Sequence, residues 1–245
     1  MRARLSTAPQ FKIHRGALGA PPAANDGAHR DEPPPCATAA RLADALCEGQ
    51  NIAWIARPLD ESHARSLAAL AEIGPWRAER IVTARGPLAL EGMLPPEVSP
   101  AARTVLAEEA ARWARAFAWL ARTPRVKVSL ASVRSDACRR FHADFVPLRM
   151  LCTYAGPGTE FVRDPYVRRG IADGWDDIDA ANDATVPDRS RVERCAVGDL
   201  LVLKGEAWPG NRGRGAIHRS PPIERERTPR IVLTLDVPNP MLGER

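Results

Sequence analysis

Arg230–Asp236 reads RIVLTLD, and the alternation in that stretch decides the fold. Successive side chains of a strand point to opposite faces, so Ile231, Leu233 and Leu235 form one wholly apolar side, with Arg230, Val232, Thr234 and Asp236 on the other. The apolar side predicts contact with a packed layer; the side carrying an arginine and a threonine predicts a polar cavity. Working back along the chain, LLVLK (200–204), LRMLCTY (148–154) and VKVSL (126–130) are short runs of the same kind, separated by loops rich in glycine, proline and aspartate.

Upstream of residue 126 the period is helical. Leu106, Ala110, Trp113, Phe117 and Leu120 recur at four- and three-residue steps behind Ser99, an N-cap, and Pro100 at the first helical position; Thr123-Pro124 ends the run. One earlier helix carries Leu42 and Leu46 and stops near Gly49, a second runs from near Asp60 to Gly74, and the apolar segment Ile52–Ile55 lies between them. Residues 1–36, with prolines, glycines and no periodicity, read as a disordered leader in which His14 and His29 are solvated. The expected organisation is a leader (1–36), a helical layer (37–124) and a β core (125–245). This is an α+β chain whose strands form a sandwich or barrel with helices on one outer face.

A chain of 245 residues with 44% hydrophobic and 27% charged residues can bury a full core and has the make-up of a soluble globular protein. No stretch approaches the roughly 18 apolar residues of a membrane span. Five cysteines without tight pairing and an N-terminus without an apolar signal core lead us to expect a reduced cytoplasm. The formal charge of +5 and the NRGRG loop (211–215) are the basis of a nucleic-acid reading, although acids and bases are interleaved along the chain. A G-x-S-x-G elbow, a Walker loop and paired C-x-x-C motifs are absent from the sequence, so no catalytic set is expected beyond metal ligands.

Phe141-His142-Ala143-Asp144 supplies the first two such ligands: two residues apart in an extended segment, the imidazole and carboxylate project from one face and can hold one cation. A strand and a glycine-rich turn then deliver His218, and Arg230 follows 12 residues later (230 minus 218). Two histidines and one carboxylate on one face of a metal leave positions open, as in non-haem Fe(II) oxygenases. Cys138, four residues before His142, is the rival ligand; its coordination would favour Zn(II). Gly156, Pro157 and Gly158 predict a tight turn. The stretch 163–191 contains Asp173, Asp176, Asp177, Asp179, Asp183 and Asp188 without the spacing of a calcium loop, and reads as a solvated lid over the barrel mouth.

The strings RRFHADFVPLRMLCTYAGPGTEF (139–161), LLVLKGEAWPGNRGRGAIHRSPP (200–222) and RIVLTLD (230–236) resemble an uncharacterised bacterial domain-of-unknown-function family, and their order H-x-D, distal histidine, arginine resembles the iron(II)- and 2-oxoglutarate-dependent dioxygenases of the cupin superfamily. The second resemblance covers residues 126–236. It implies a double-stranded β-helix core of jelly-roll type, Fe(II) on His142, Asp144 and His218, and 2-oxoglutarate as cosubstrate held by Arg230, with Tyr154 and Thr234 as further candidates for its carboxylate. The implied reaction is hydroxylation or a related oxidation of a small molecule or peptide. Arg149 and Arg219 are candidates for reaching an anionic substrate, and Lys204, Glu206 and Trp208 for positioning it. The first resemblance implies the alternative of a non-oxygenase zinc cupin in metal homeostasis, with a link to metallochaperone GTPases.

Overall fold

The computed structural model describes residues 33–239 apart from 48, 136–137 and 225–227; the leader's first 32 residues, with His14 and His29, lie outside the described residues. In chain order the elements are α1 (Ala37–Ala45), β1 (Ile52–Ile55), α2 (Glu61–Ala68), β2 (Trp76–Thr83), α3 (Pro100–Leu120), β3 (Arg125–Val133), β4 (Leu148–Ala155), β5 (Glu160–Val162), α4 (Ile178–Thr185), β6 (Glu193–Arg194), β7 (Leu200–Lys204), β8 (Ile217–Arg219) and β9 (Arg230–Asp236).

The strands form two antiparallel sheets, ordered β1-β7-β4-β9-β3-β2 and β6-β5-β8, and His142 extends the second through a bridge to His218. With β1 and β2 set aside, four strands oppose four. From β3 onward the chain visits the large sheet, the small sheet at His142, the large at β4, the small at β5 and β6, the large at β7, the small at β8 and the large at β9. That path is a jelly roll, the double-stranded β-helix.

The parity of β9 is as its sequence predicts. Ile231, Leu233 and Leu235 are buried in one cluster with Leu106, Ala110, Trp113 and Phe117 of α3. Ser99 caps α3 by accepting from the Ala102 N–H at 3.3 Å, with Pro100 following. Truncating Trp113 or Phe117 to alanine in this layer would cost about 3–5 kcal/mol. The opposite face of the large sheet packs Leu151, Leu201, Leu203 and Val232 against Phe161 of the small sheet.

Two expectations need correction. Residues 37–124 are not only a helical layer: β1 pairs with β7 and β2 with β3, so this segment supplies both edges of the large sheet and shares its core, and no boundary falls at residue 124. An edge strand with charged side chains, such as WRAERIVT in β2, blurs the alternation by which strands are read. The stretch 163–191 is not a plain solvated loop. It contains α4, which Asp177 caps through the Asp179 and Ala180 N–H groups and which buries Ala181, Asn182 and Thr185. No helix among the described residues is long and apolar enough to cross a membrane.

Candidate metal centre

His142 and Asp144 lie on the extended segment before β4, and His218 is the middle residue of β8. His142 and His218 exchange backbone hydrogen bonds, each N–H donating to the other's carbonyl at 3.0 Å, which brings the ring centroids to 4.6 Å. One ligand atom from each of His142, Asp144 and His218 lies within 4.8 Å of the others. His142 Nδ1 is 2.8 Å from the Arg140 carbonyl and His218 Nδ1 3.1 Å from that of Ala216. A carbonyl only accepts, so both Nδ1 atoms donate, and both Nε2 atoms turn towards Asp144, at 3.6 Å from Oδ1 and 3.1 Å from Oδ2 respectively.

The electrostatics suit a cation. Burial alone would raise the Asp144 carboxyl, but hydrogen bonds from His142 and His218 and the charge of Arg149 hold it well below the usual carboxylate range. Burial disfavours a charged His142, yet the hydrogen bond to Asp144, the Arg140 carbonyl and the Asp144 charge outweigh it and raise the pKa; a metal binds the unprotonated Nε2 in competition with protons. These donors fit a metal of the Fe(II) class: two imidazoles with a fixed tautomer, one ionised carboxylate and an open side.

The segment carrying His142 and Asp144 is held from several sides. Asn182 of α4, 1% exposed, accepts from the Phe141 N–H at 2.7 Å and donates to the Arg139 carbonyl at 3.1 Å. Arg140 donates to the Ala172 and Trp175 carbonyls. The Glu206 N–H donates to the Asp144 carbonyl at 2.9 Å, and Gly205 lies so close that a Cβ would be driven into the Val146 and Asp144 carbonyl oxygens. Arg149 Nη1 donates to Asp144 Oδ2 at 2.5 Å. Sequence reasoning missed Asn182; the one signal was a lone amide on the otherwise small, buried face of α4.

A second polar site lies between the sheets. Arg230 is 2% exposed; its Nη2 donates to the hydroxyls of Thr153 at 3.2 Å and Thr159 at 3.0 Å, and its Nε is buried without a partner among the described residues. Burial pulls this guanidinium down to about 10. The AGPGT turn fits flush around it: a Cβ on Gly156, at φ 76°, would enter the Pro229 carbonyl, and one on Gly158 that of Cys195. Thr234 lies on the same face of β9.

Tyr154 does not join Arg230. Thr153 faces between the sheets, so its neighbour Tyr154 points the other way and is buried beneath α3, its hydroxyl donating to Glu109 Oε2 at 3.4 Å. Trp113 Nε1 and Arg57 donate to the same carboxylate, at 3.0 and 2.6 Å.

The other candidates also have structural work. Lys204 turns to the helical side, where Nζ donates to the Leu46 and Cys47 carbonyls at the end of α1 and sits 5.3 Å from the Trp208 ring centre. Trp208 packs on that same core. Glu206 accepts from the Gly213 and Gly215 N–H groups and pins the turn that delivers His218. Lys204 and Trp208 thus face away from the triad, and the Glu206 oxygens are taken up by backbone N–H groups. Arg219 is turned to the outer face of the small sheet, donating to Glu160 at 2.6 Å and stacking on Phe141 at 4.3 Å. Cys138 is exposed and outside the triad, because four residues bring side chains together on a helix but not along this irregular segment. Zn(II) coordination through that thiol therefore has no support in this arrangement.

Residues 37–236 match the family described as a protein of unknown function, DUF1826. No curated protein matches. Among solved structures, a dioxygenase for auxin oxidation in rice is similar at 13% identity and a TM-score of 0.49, over 81% of this chain and 76% of that one. A prolyl-4-hydroxylase of Pseudomonas putida is similar at 13% identity and a TM-score of 0.42, over 81% of this chain and 98% of that one.

Proposed function

The chain belongs to the DUF1826 family, whose description assigns no activity, and from its own side chains we propose that it is an Fe(II)- and 2-oxoglutarate-dependent oxygenase. The observation that carries this reading is Arg230: a guanidinium buried between the two sheets, the smaller of which carries His142 and His218 of the triad, with its Nε unpartnered among the described residues. A buried cation without full compensation costs several kcal/mol unless an anion arrives, at about that order. A dicarboxylate answers both features, one end reaching the metal and the other the guanidinium.

In this reading the two Nε2 atoms and Asp144 hold the metal, and Arg230 binds the distal carboxylate of 2-oxoglutarate through charge-assisted hydrogen bonds. Thr153 and Thr159 fix the guanidinium plane. Leu151, Phe161 and Val232 make the water-excluding wall beside it. In this reading a substrate approaches from the side of His142, whose side chain is 33% exposed. Iron held there would couple O2 and the decarboxylation of 2-oxoglutarate to succinate and CO2 to the oxidation of that substrate.

The test is anaerobic addition of Fe(II) and 2-oxoglutarate, followed by admission of air. A visible charge-transfer band and then succinate are expected; a folded protein that gives neither overturns the proposal. His218→Ala should abolish both signals, whereas Arg230→Ala should chiefly raise the KM for 2-oxoglutarate.

A further inference from the structure

A carboxylate that must bind a metal beside an arginine is pulled two ways, because a guanidinium fork that takes both its oxygens leaves little for the metal. Arg149 gives Asp144 only Nη1, at 2.5 Å from Oδ2. Its Nε and Nη2 donate to the two oxygens of Asp236 at 2.7 and 2.8 Å. Strand register builds this arrangement: Arg149 of β4 lies directly opposite Asp236 of β9 at the centre of the large sheet. The side chains of Arg149, Asp144 and Asp236 are 23, 19 and 15% exposed, so solvent screens their attraction weakly. Lys127, opposite Asp236 on β3, reaches Glu79 of β2 at 3.8 Å. Charge therefore alternates in sign from Asp144 through Arg149, Asp236 and Lys127 to Glu79.

We propose that Asp236, acting through Arg149, is a positioning residue of the metal centre: by occupying two donors of the guanidinium it keeps Arg149 on Asp144 Oδ2 alone and leaves Oδ1 for the metal. The inference rests on the reading of His142, Asp144 and His218 as metal ligands. Without Asp236, the Arg149 fork is drawn onto both oxygens of Asp144 and competes with the metal. Without Arg149, Asp236 has lost its route to the site.

The experiment is a Mn(II) titration of the full chain, read from the free-ion EPR signal, in wild type, Arg149→Gln, Asp236→Asn and the double variant. Asp236→Asn should weaken Mn(II) binding about tenfold in the wild-type background, the scale of losses at outer partners of metal ligands. In the Arg149→Gln background the same change should cost less than about threefold, and that non-additivity reports action through Arg149. Equal losses in both backgrounds, or no loss from Asp236→Asn alone, overturn the proposal. If Asp236→Asn does not fold, Asp236→Glu takes its place in the cycle, since it keeps the charge but displaces the fork by a methylene, and the same non-additivity is expected. Wild-type protein that binds no Mn(II), or binding that survives His218→Ala, overturns the metal-ligand reading and this proposal with it. Binding that needs His218 but ignores Asp236 overturns the positioning role alone.

Discussion

Asn182 Oδ1 accepts the Phe141 N–H at 2.7 Å, one residue before the ligand His142, so α4 sets the path of the metal-binding segment from outside the barrel. Phe141 is itself buried, and removing the amide takes away the acceptor of its N–H. Asn182→Ala should therefore cost about 1–3 kcal/mol, the range for stranding a buried polar group. It should also weaken Mn(II) binding by about tenfold, because His142 loses its anchor. Denaturant melts and metal titrations on one sample check both. A stability loss with unchanged metal affinity would mean that α4 supports the fold but not the site.

Tyr154 and Arg230 separate the two faces of the large sheet experimentally. The Tyr154 hydroxyl ends on Glu109 beneath α3, while Arg230 lies on the other side beside Thr153. Tyr154→Phe should leave the Kd of 2-oxoglutarate on Mn(II)-loaded protein unchanged and cost about 1 kcal/mol of stability, the net worth of one hydrogen bond. Arg230→Ala should weaken 2-oxoglutarate by a factor of ten or more, on the order of the 1.5–3 kcal/mol expected for hydrogen bonds to a charged group. Isothermal titration measures both, and a Tyr154→Phe loss as large as that of Arg230→Ala would contradict this assignment of faces.

The same pair shows what the sequence could and could not carry. Tyr154 has the parity of Leu148, Met150 and Cys152, the apolar face, whereas Thr153 has the parity of Arg149; strict alternation already pointed to Thr153. The four main strands, α3 and the convergence of His142, Asp144 and His218 were legible because period and residue order are local or simply spaced. Thr159 under Arg230, Asn182 under Phe141 and Asp236 against Arg149 are contacts across 71, 41 and 87 residues, and their side chains differ in no local way from ordinary loop and strand polars. The contacts of Lys204, Glu206 and Trp208 were hidden for the converse reason. A polar cluster beside a site is conspicuous in sequence whichever way its side chains turn.

Gly158 tests how closely the AGPGT turn must fit. A Cβ there would be forced into the Cys195 carbonyl, and the next residue, Thr159, both accepts from the Cys195 N–H at 3.0 Å and holds Arg230. Gly158→Ala should cost about 1–3 kcal/mol or more as an overpacked substitution and should weaken 2-oxoglutarate. Gly170→Ala is the control: nothing lies within 4 Å of its Cβ, and only its φ of 73° opposes the change. That penalty should be about 1–2 kcal/mol, with cosubstrate affinity intact. Thermal melts and calorimetry on the two variants decide whether the effect belongs to the turn or to glycine loss in general.

Thiol chemistry gives an independent check on the ligand set. Cys152 and Cys195 are buried, and burial pushes both thiols up to about 12, so little thiolate forms at neutral pH. Cys47 and Cys138 are exposed. A water-soluble disulfide reagent should therefore label Cys47 and Cys138 early and reach Cys152 and Cys195 only on unfolding. If Cys138 is not a ligand, it should react at the same rate with and without bound Mn(II) or Zn(II), and Cys138→Ala should retain the full metal content. Protection of Cys138 by either metal would bring its sulfur into the coordination sphere and replace an open three-ligand face with the closed site typical of structural zinc.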